Sequence, residues 1–320
     1  MSRLFRDVDG GSLCPRGSVV CIGAFDGLHL GHRALLRHAV ARAQALGLPA
    51  VALSFEPLPR EFFARAAPPP RLTLPRDRIE GLLALGIDKL GLLRFNAALA
   101  AMPAEEFVRR VLAGRLGARE IWIGPEFRFG YRRGGDLALL RAMGAELGFG
   151  ADQIVPVQAH GERVSSTRIR EALVEGDFAR AAALLGRPYA IGGRVVRGRQ
   201  LGRTLGFPTA NLRFPKTPAL SGIYATWVHG ARGTDRGQPW PAVSSFGTRP
   251  TVDGVEPLLE AHLFDFSGDL YGRHLEVEFV AKLRDEEKFP DLPALTAQMH
   301  RDAAQARRIL SESDRLRATA

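Results

Sequence analysis

The chain of 320 residues is poor in sulfur and in lysine, and it has no long apolar run. Cysteine occurs only as Cys14 and Cys21, too few for a disulfide framework or a zinc ribbon and in keeping with a reducing compartment. No apolar stretch approaches the roughly 18 residues a membrane span needs, and the polar start MSRLFRDVDG lacks the apolar core of a signal peptide. A cytoplasmic location is therefore expected. Lysine appears only at 89, 216, 282 and 288, yet the formal charge is +10, so the excess is arginine. The arginines are spread along the chain instead of gathered in blocks, which fits a composition bias as well as it fits a nucleic-acid surface. The hydrophobic and charged fractions, 46% and 24%, are those of a globular chain, and the length allows two domains.

What is present is an alternation. Apolar runs at Val19–Ile22, Ala50–Phe55, Lys89–Leu93, Ile121–Ile123 and Ile154–Val157 read as strands. Between them Ala34–Leu46, Asp77–Leu85, Ala104–Leu116 and Asp136–Leu147 carry apolar residues at helical spacing. This order predicts a parallel sheet with helices on both faces, which binds ligands at the carboxyl ends of its strands. Pro68–Pro70 reads as a stiff loop inside that domain. After Leu185 the pattern changes to strand alternation at Ile223–Val228, Leu258–Phe264 and Leu275–Val280, closed by a helical pattern over Leu292–Leu310. A compact antiparallel barrel or sandwich with a terminal helix is expected there.

Gly23–His32, GAFDGLHLGH, follows the first expected strand. If the helix starts here and not at the pattern near Arg33, His29 and His32, three apart, share one of its faces beside the positive end of its dipole. Unpaired backbone N–H groups there, with glycines at 23, 27 and 31, make a place for phosphate. The same features also describe an ordinary strand–turn–helix with structural histidines. A zinc site does not follow, because Cys21 lies inside the strand run and no further ligands come at metal spacing. Three more segments fall at strand or helix ends: Ser54–Pro57, Gly124–Gly130 (GPEFRFG) and Ser165–Arg170 (SSTRIR). The last offers capping hydroxyls and two arginines for phosphate, or simply a capped helix.

In the second half, Arg194–Leu212 reads RVVRGRQLGRTLGFPTANL. Gly198, Gly202 and Gly206 with Arg197, Arg199 and Arg203 make a loop able to wrap phosphates, though not at Walker A spacing. Thr209 and Asn211, two apart on an extended segment, face one side and offer the hard oxygens that suit Mg²⁺.

Taken together, GAFDGLHLGH, FRFG and SSTRIR resemble the nucleotidyltransferase superfamily and, within it, the adenylyltransferase module of bacterial riboflavin kinase/FAD synthetase. That resemblance implies that His29 and His32 serve catalysis of AMP transfer to FMN. It further implies that Gly23, Phe25, Asp26, Gly31, Ser165, Ser166, Thr167 and Arg168 hold ATP, and that Glu126, Phe127 and Phe129 meet the flavin. The second loop resembles the riboflavin kinase signature GRxLGFPTAN, and the likeness continues through Gly247–Thr251, Glu260–Phe266 (EAHLFDF), Asp269–Gly272 (DLYG) and Leu283–Phe289. It implies that Gly198, Gly202, Arg203, Gly206, Pro208, Thr209 and Asn211 bind ATP, with Mg²⁺ at Thr209 and Asn211, and that Glu260 takes the proton from the riboflavin 5′-hydroxyl.

Two positions depart from the family pattern. Leu58 stands where a histidine is common, and Glu126 where Asn or Asp is usual. The implied whole is an α/β nucleotidyltransferase domain with a Rossmann-like parallel sheet over 1–185 and an antiparallel β-barrel riboflavin kinase domain with a terminal helix over 186–320. Its substrates would be riboflavin, FMN and MgATP and its products FMN and FAD, with no nucleic-acid or membrane partner. Two other readings stand beside it: a riboflavin kinase whose first domain has weak or lost activity, and an RNA-binding protein suggested by the positive charge.

Overall fold

The computed structural model describes residues 3–65, 67–198, 202, 205–214, 216, 218–231, 238–251 and 254–318. They form two compact units, 1–69 with 75–166 and 70–74 with 167–320. Pro68–Pro70, read above as a loop of the first domain, leads into Pro70–Leu74, which packs with the second unit: Arg71 bridges Pro218, and Arg170 Nε donates to Pro70 O at 2.7 Å. Among the described residues no helix is long and apolar enough to cross a membrane.

The first unit contains β1 (Leu4–Phe5), β2 (Ser18–Ile22), α1 (Leu30–Leu46), β3 (Ala50–Glu56), α2 (Pro59–Phe62), α3 (Pro75–Ala84) and β4 (Lys89–Arg94). It continues through α4 (Ala97–Ala101), α5 (Ala104–Phe107), which runs on as a π-helical stretch Val108–Arg115, β5 (Ala118–Ile123), α6 (Leu137–Leu147) and β6 (Gly150–Gln153). The sheet order is β1-β4-β3-β2-β5-β6, and every pairing is parallel. Successive β2 side chains go to opposite faces, as the pleat requires: Val20 and Ile22 into one core with Leu53 and Leu112, Val19 and Cys21 into the other with Leu36 and Ala39. Burial pushes the Cys21 thiol up to about 12, so it is an inert core residue.

Two expectations need correction. The last strand is β6, Gly150–Gln153, and not Ile154–Val157. As an edge strand it is mostly exposed and carries no large apolar residue, so the apolar run marks its exit; Val155 is 83% exposed. Helix α1 starts at Leu30, four residues ahead of its apolar stripe, because His29 caps it. A small hairpin was not foreseen: β7 (Gln158–Ala159) and β8 (Glu162–Arg163) join through His160 and Gly161, both at positive φ as a two-residue hairpin turn demands. The unit's last residue, Ser166, opens α7 (Ser166–Glu175).

In the second unit α8 (Phe178–Leu185) ends on left-handed Gly186. The strands are β9 (Ala190–Val196), β10 (Ala210–Arg213), β11 (Gly222–His229), β12 (Trp240–Thr251), β13 (Gly254–Leu263) and β14 (His274–Arg284). They close into a six-stranded antiparallel barrel in the order β10-β13-β12-β11-β14-β9, so the barrel alternative is the one realised. The final helix α9 (Leu292–Ala318) lays Ala303, Ala306 and Leu310 on the outside of the barrel, against Ala225, Trp227 and Phe264.

Candidate active sites

The first site is built where β2 ends. Gly23 N donates to Leu53 O at 3.0 Å, and the chain then turns through Phe25 (φ 52°), Gly27 (φ 91°) and Leu28 (φ 45°). Two non-glycine residues in left-handed conformation within four positions are costly, and the surrounding packing holds them: Phe25 and Leu28 are buried. Asp26 is buried as well, and its carbonyl accepts from Ser166 Oγ at 3.0 Å, which fixes the motif to the start of α7. A Cβ at Gly31 would lie 3.2 Å from the His29 ring.

His29 is the N-cap of α1, and its Nδ1 accepts from the His32 backbone N–H at 3.2 Å. With Nδ1 occupied as an acceptor, the hydrogen of the neutral ring sits on Nε2, a donor at the positive end of the helix. The His32 ring stacks on it, centroids 3.6 Å apart and 15° from parallel. His32 Nδ1 is shut away from solvent and has no hydrogen-bond partner among the described residues. Loss of solvation, then the neighbouring His29 and the guanidinium charges of Arg60 and Arg78, hold the His32 imidazole well below its usual range.

A depressed imidazole pKa makes stability depend on pH in a stated direction. The unfolded chain takes up a proton as pH falls through about 6.5, the folded chain does not, and folding is therefore weakened on the acid side. The unfolding midpoint is expected to fall from pH 7.5 to 5.5, and less steeply in His32→Asn. Equal slopes in thermal melts of both proteins would contradict this origin.

The neighbouring strand end is bound to the motif by Arg78 of α3, whose side chain is fully buried. It donates to Ala24 O (3.0 Å), Phe55 O (3.0 Å) and Glu56 Oε2 (2.7 Å). Sequence reading passes over Arg78, because an arginine in PRDRIEGLLA looks solvated; only its placement under two strand ends shows otherwise. Leu58 is 1% exposed and stands at the N-cap of α2, so it points into the protein and offers nothing to an anion.

The GPEFRFG loop has its backbone pinned by Phe129 N to Gly135 O (3.1 Å) and Gly135 N to Phe129 O (2.9 Å). Phe129 is 7% exposed and belongs to the core beside Phe107; Phe127 stacks on it from outside. Glu126 sits at φ 60°, which explains why short Asn or Asp suits this position, and its exposed carboxylate takes Arg163 Nη1 of β8 at 3.2 Å. That pairing holds the Glu126 carboxyl below the ordinary carboxylate range. An aromatic group that the motifs did not include lies at the ends of β3 and β4: Phe63, 62% exposed, and Phe62 meet Phe95 edge-on. In the SSTRIR segment Ser165 is half-buried and Ser166 buried. Thr167 is exposed, and Arg168 turns to Glu171 at 3.0 Å.

The second site lies on the outside of the barrel. In the β10–β13 ladder Ala210 faces Ala261 and Leu212 faces Leu259, all buried, so their neighbours Asn211 and Glu260, directly paired, share the opposite face. Thr209, two before Asn211, adds its hydroxyl there; Asn211 Nδ2 donates to Thr209 O at 3.2 Å. Asn211 Oδ1 is buried and accepts no hydrogen bond among the described residues. The loop before it closes tightly, with Phe207 N on Gly202 O at 2.7 Å and Gly206 at φ 81°. A side chain at Gly198 would collide with the Asn211 amide, and one at Gly202 with Phe207 O. Arg203 lies outside the described residues. Pro208, Thr209, Leu263, Phe266 and Tyr271 wall a cavity of ≈ 220 Å³ beside this face, which gives the DLYG segment a place at the site. Gly247 on β12 lets the Glu286 carboxylate come close, and its neighbour Ser245 pairs with Glu260, so LRDEEKF reaches the same face.

Each unit thus carries a candidate site with its own arrangement of donors, the organisation of a two-domain transferase. Comparison with known proteins agrees. Residues 12–168 match the FAD synthetase family and residues 185–310 the riboflavin kinase family. The chain is 42% identical over 308 residues to the Escherichia coli K12 bifunctional riboflavin kinase/FMN adenylyltransferase, covering 95% of this chain and 97% of that one. It is 43% identical over 300 residues to the Pseudomonas fluorescens protein of that name, with 93% and 94% covered. A Streptococcus pneumoniae crystal structure described as a macrolide-efflux protein superposes with a TM-score of 0.75 at 30% identity, covering 93% of this chain and 96% of that one. The chain belongs to the bifunctional riboflavin kinase/FMN adenylyltransferase family.

Proposed function

We propose that the barrel phosphorylates riboflavin and that the α/β domain adenylylates the FMN so formed, with MgATP used at both sites. The observation that carries the barrel reading is the shared outer face of Thr209, Asn211 and Glu260 behind a glycine loop. Glu260 takes the proton of the riboflavin 5′-hydroxyl as that oxygen bonds to the γ-phosphorus, the bridging bond to the β-phosphate breaks, and ADP leaves. Asn211 Oδ1, an orphaned buried acceptor next to the Thr209 hydroxyl, fits a hard cation better than it fits any protein donor. Thr209 and Asn211 would hold Mg²⁺, which neutralises phosphate charge when bound.

In the α/β domain the FMN phosphate oxygen attacks the α-phosphorus of ATP, the bond to the β-phosphate breaks, and pyrophosphate leaves. His29 Nε2–H and the N–H groups at the start of α1 stabilise the charge that builds on the phosphates; Ser166 keeps the motif in place. The flavin ring would lie against Phe127 and the exposed pair Phe62 and Phe63, with Glu126 and Arg163 at its edge. We place the functional boundary after Leu185, where α8 stops and the barrel's first strand follows. A cytoplasmic setting suits two buried free thiols.

Incubation of the purified protein with riboflavin and MgATP should yield FMN first and FAD after it, separated by chromatography. FMN without FAD would leave a kinase alone, and neither product would overturn the reading.

A further inference from the structure

Around the first site the described cations have unequal duties. Arg78 is buried and held by two carbonyls and by Glu56, so its charge is matched where it stands. His29 and His32 are stacked at the mouth of α1, and His32 is held in its uncharged form, chiefly by desolvation. Arg60, in the single turn of α2, is exposed and makes no hydrogen bond or ion pair among the described residues. Its surroundings are rigid on both sides. Leu58 is buried ahead of it, Leu58 N donates to Glu61 Oε2 at 3.2 Å, and behind it Phe62 and Phe63 pack on Phe95.

The turn that carries Arg60 leaves β3 next to the loop that leaves β2, since Ile22 pairs with Leu53 in the sheet and Arg78 bonds to both exits. The Arg60 charge also reaches the His32 ring, where it adds to the effects of desolvation and of His29. An unmatched guanidinium on a fixed turn beside an anion-binding helix start is placed to receive a polyphosphate.

We propose that Arg60 is a substrate-binding residue of the adenylyl transfer, its guanidinium holding the β- and γ-phosphates of ATP, and afterwards the pyrophosphate, opposite His29 and His32. This rests on the reading of the first site as the FMN adenylyltransferase. Arg60 leaves no partner unsatisfied when it is truncated, so Arg60→Ala should fold.

The test is steady-state conversion of FMN to FAD, with pyrophosphate binding followed by calorimetry. In Arg60→Ala the KM for MgATP and the dissociation constant of pyrophosphate should each rise about 10- to 100-fold, the loss expected for a charged hydrogen bond, while kcat changes less. Arg60→Lys should recover part of both, and FMN formation from riboflavin should not change. Values for Arg60→Ala within twofold of the wild type overturn the assignment. If the wild type makes no FAD, the reading of the site fails, and pyrophosphate affinity alone then decides whether Arg60 makes the contact.

Discussion

Glu260→Gln is expected to lower the conversion of riboflavin to FMN by about 10² to 10⁴ while leaving conversion of added FMN to FAD at the wild-type rate. The substitution keeps the size of the side chain and turns one acceptor oxygen into an amide donor, so it removes the negative charge and with it the ability to accept a proton. Glu260 is held directly opposite Asn211 in the β10–β13 ladder and beside Ser245 of β12, so an amide has the same place to sit and the barrel has no reason to unfold. The riboflavin 5′-hydroxyl is a poor nucleophile until its proton leaves, and Glu260 is a carboxylate paired directly with Asn211 on the face that carries Thr209. The readout is a drop in kcat with little change in the KM for MgATP, because the residues read as nucleotide-binding are untouched. Equal loss of both activities would show that the sites are not separate, and an unchanged rate would move the base elsewhere.

The sheet and the barrel were largely legible in the sequence, because buried strands announce themselves by apolar runs and by alternation. Legibility failed where burial fails. Strand β6, at an edge, is mostly exposed and lacks large apolar residues, and the two-residue β1 is too short to carry a pattern. The start of α1 was misplaced because its cap is a histidine, a residue that signals chemistry sooner than it signals a helix end. At the candidate sites, motif and family resemblance single out residues whose surroundings differ once they are placed in three dimensions. Phe129 is buried in the core and Phe127 half-buried against it, and Arg168 faces Glu171. Leu58, where a histidine is common, is a buried anchor at the start of the turn that carries Arg60. Arg78 had no sequence signal at all, since solvated and buried arginines look alike until the strands above them are in place.

Arg78→Met is expected to lower the stability of the α/β domain by about 3–5 kcal/mol and to remove most FAD formation, with FMN formation in the barrel retained. Methionine fills much of the volume, so the loss is one of charge and donors. Three things are left behind. Ala24 O keeps only its bond from Ser54 Oγ at 3.1 Å, Phe55 O loses the donation from Arg78 Nη2, and the Glu56 carboxylate, with a side chain 21% exposed, loses its matched cation. Ala24 lies in the GAFD motif and Phe55 at the end of β3 ahead of the α2 turn, so their release loosens both sides of the candidate site at once. Removal of the guanidinium charge also relaxes one of the smaller effects that depress the His32 imidazole, after desolvation, His29 and Arg60, and the pH profile of FAD formation should move to higher pH. Arg78→Lys keeps the charge but cannot serve three acceptors in a plane, so it should fall between wild type and Met in both melting temperature and kcat. A Met variant that melts with the wild type and still makes FAD would show that the strand ends hold their places without the clamp.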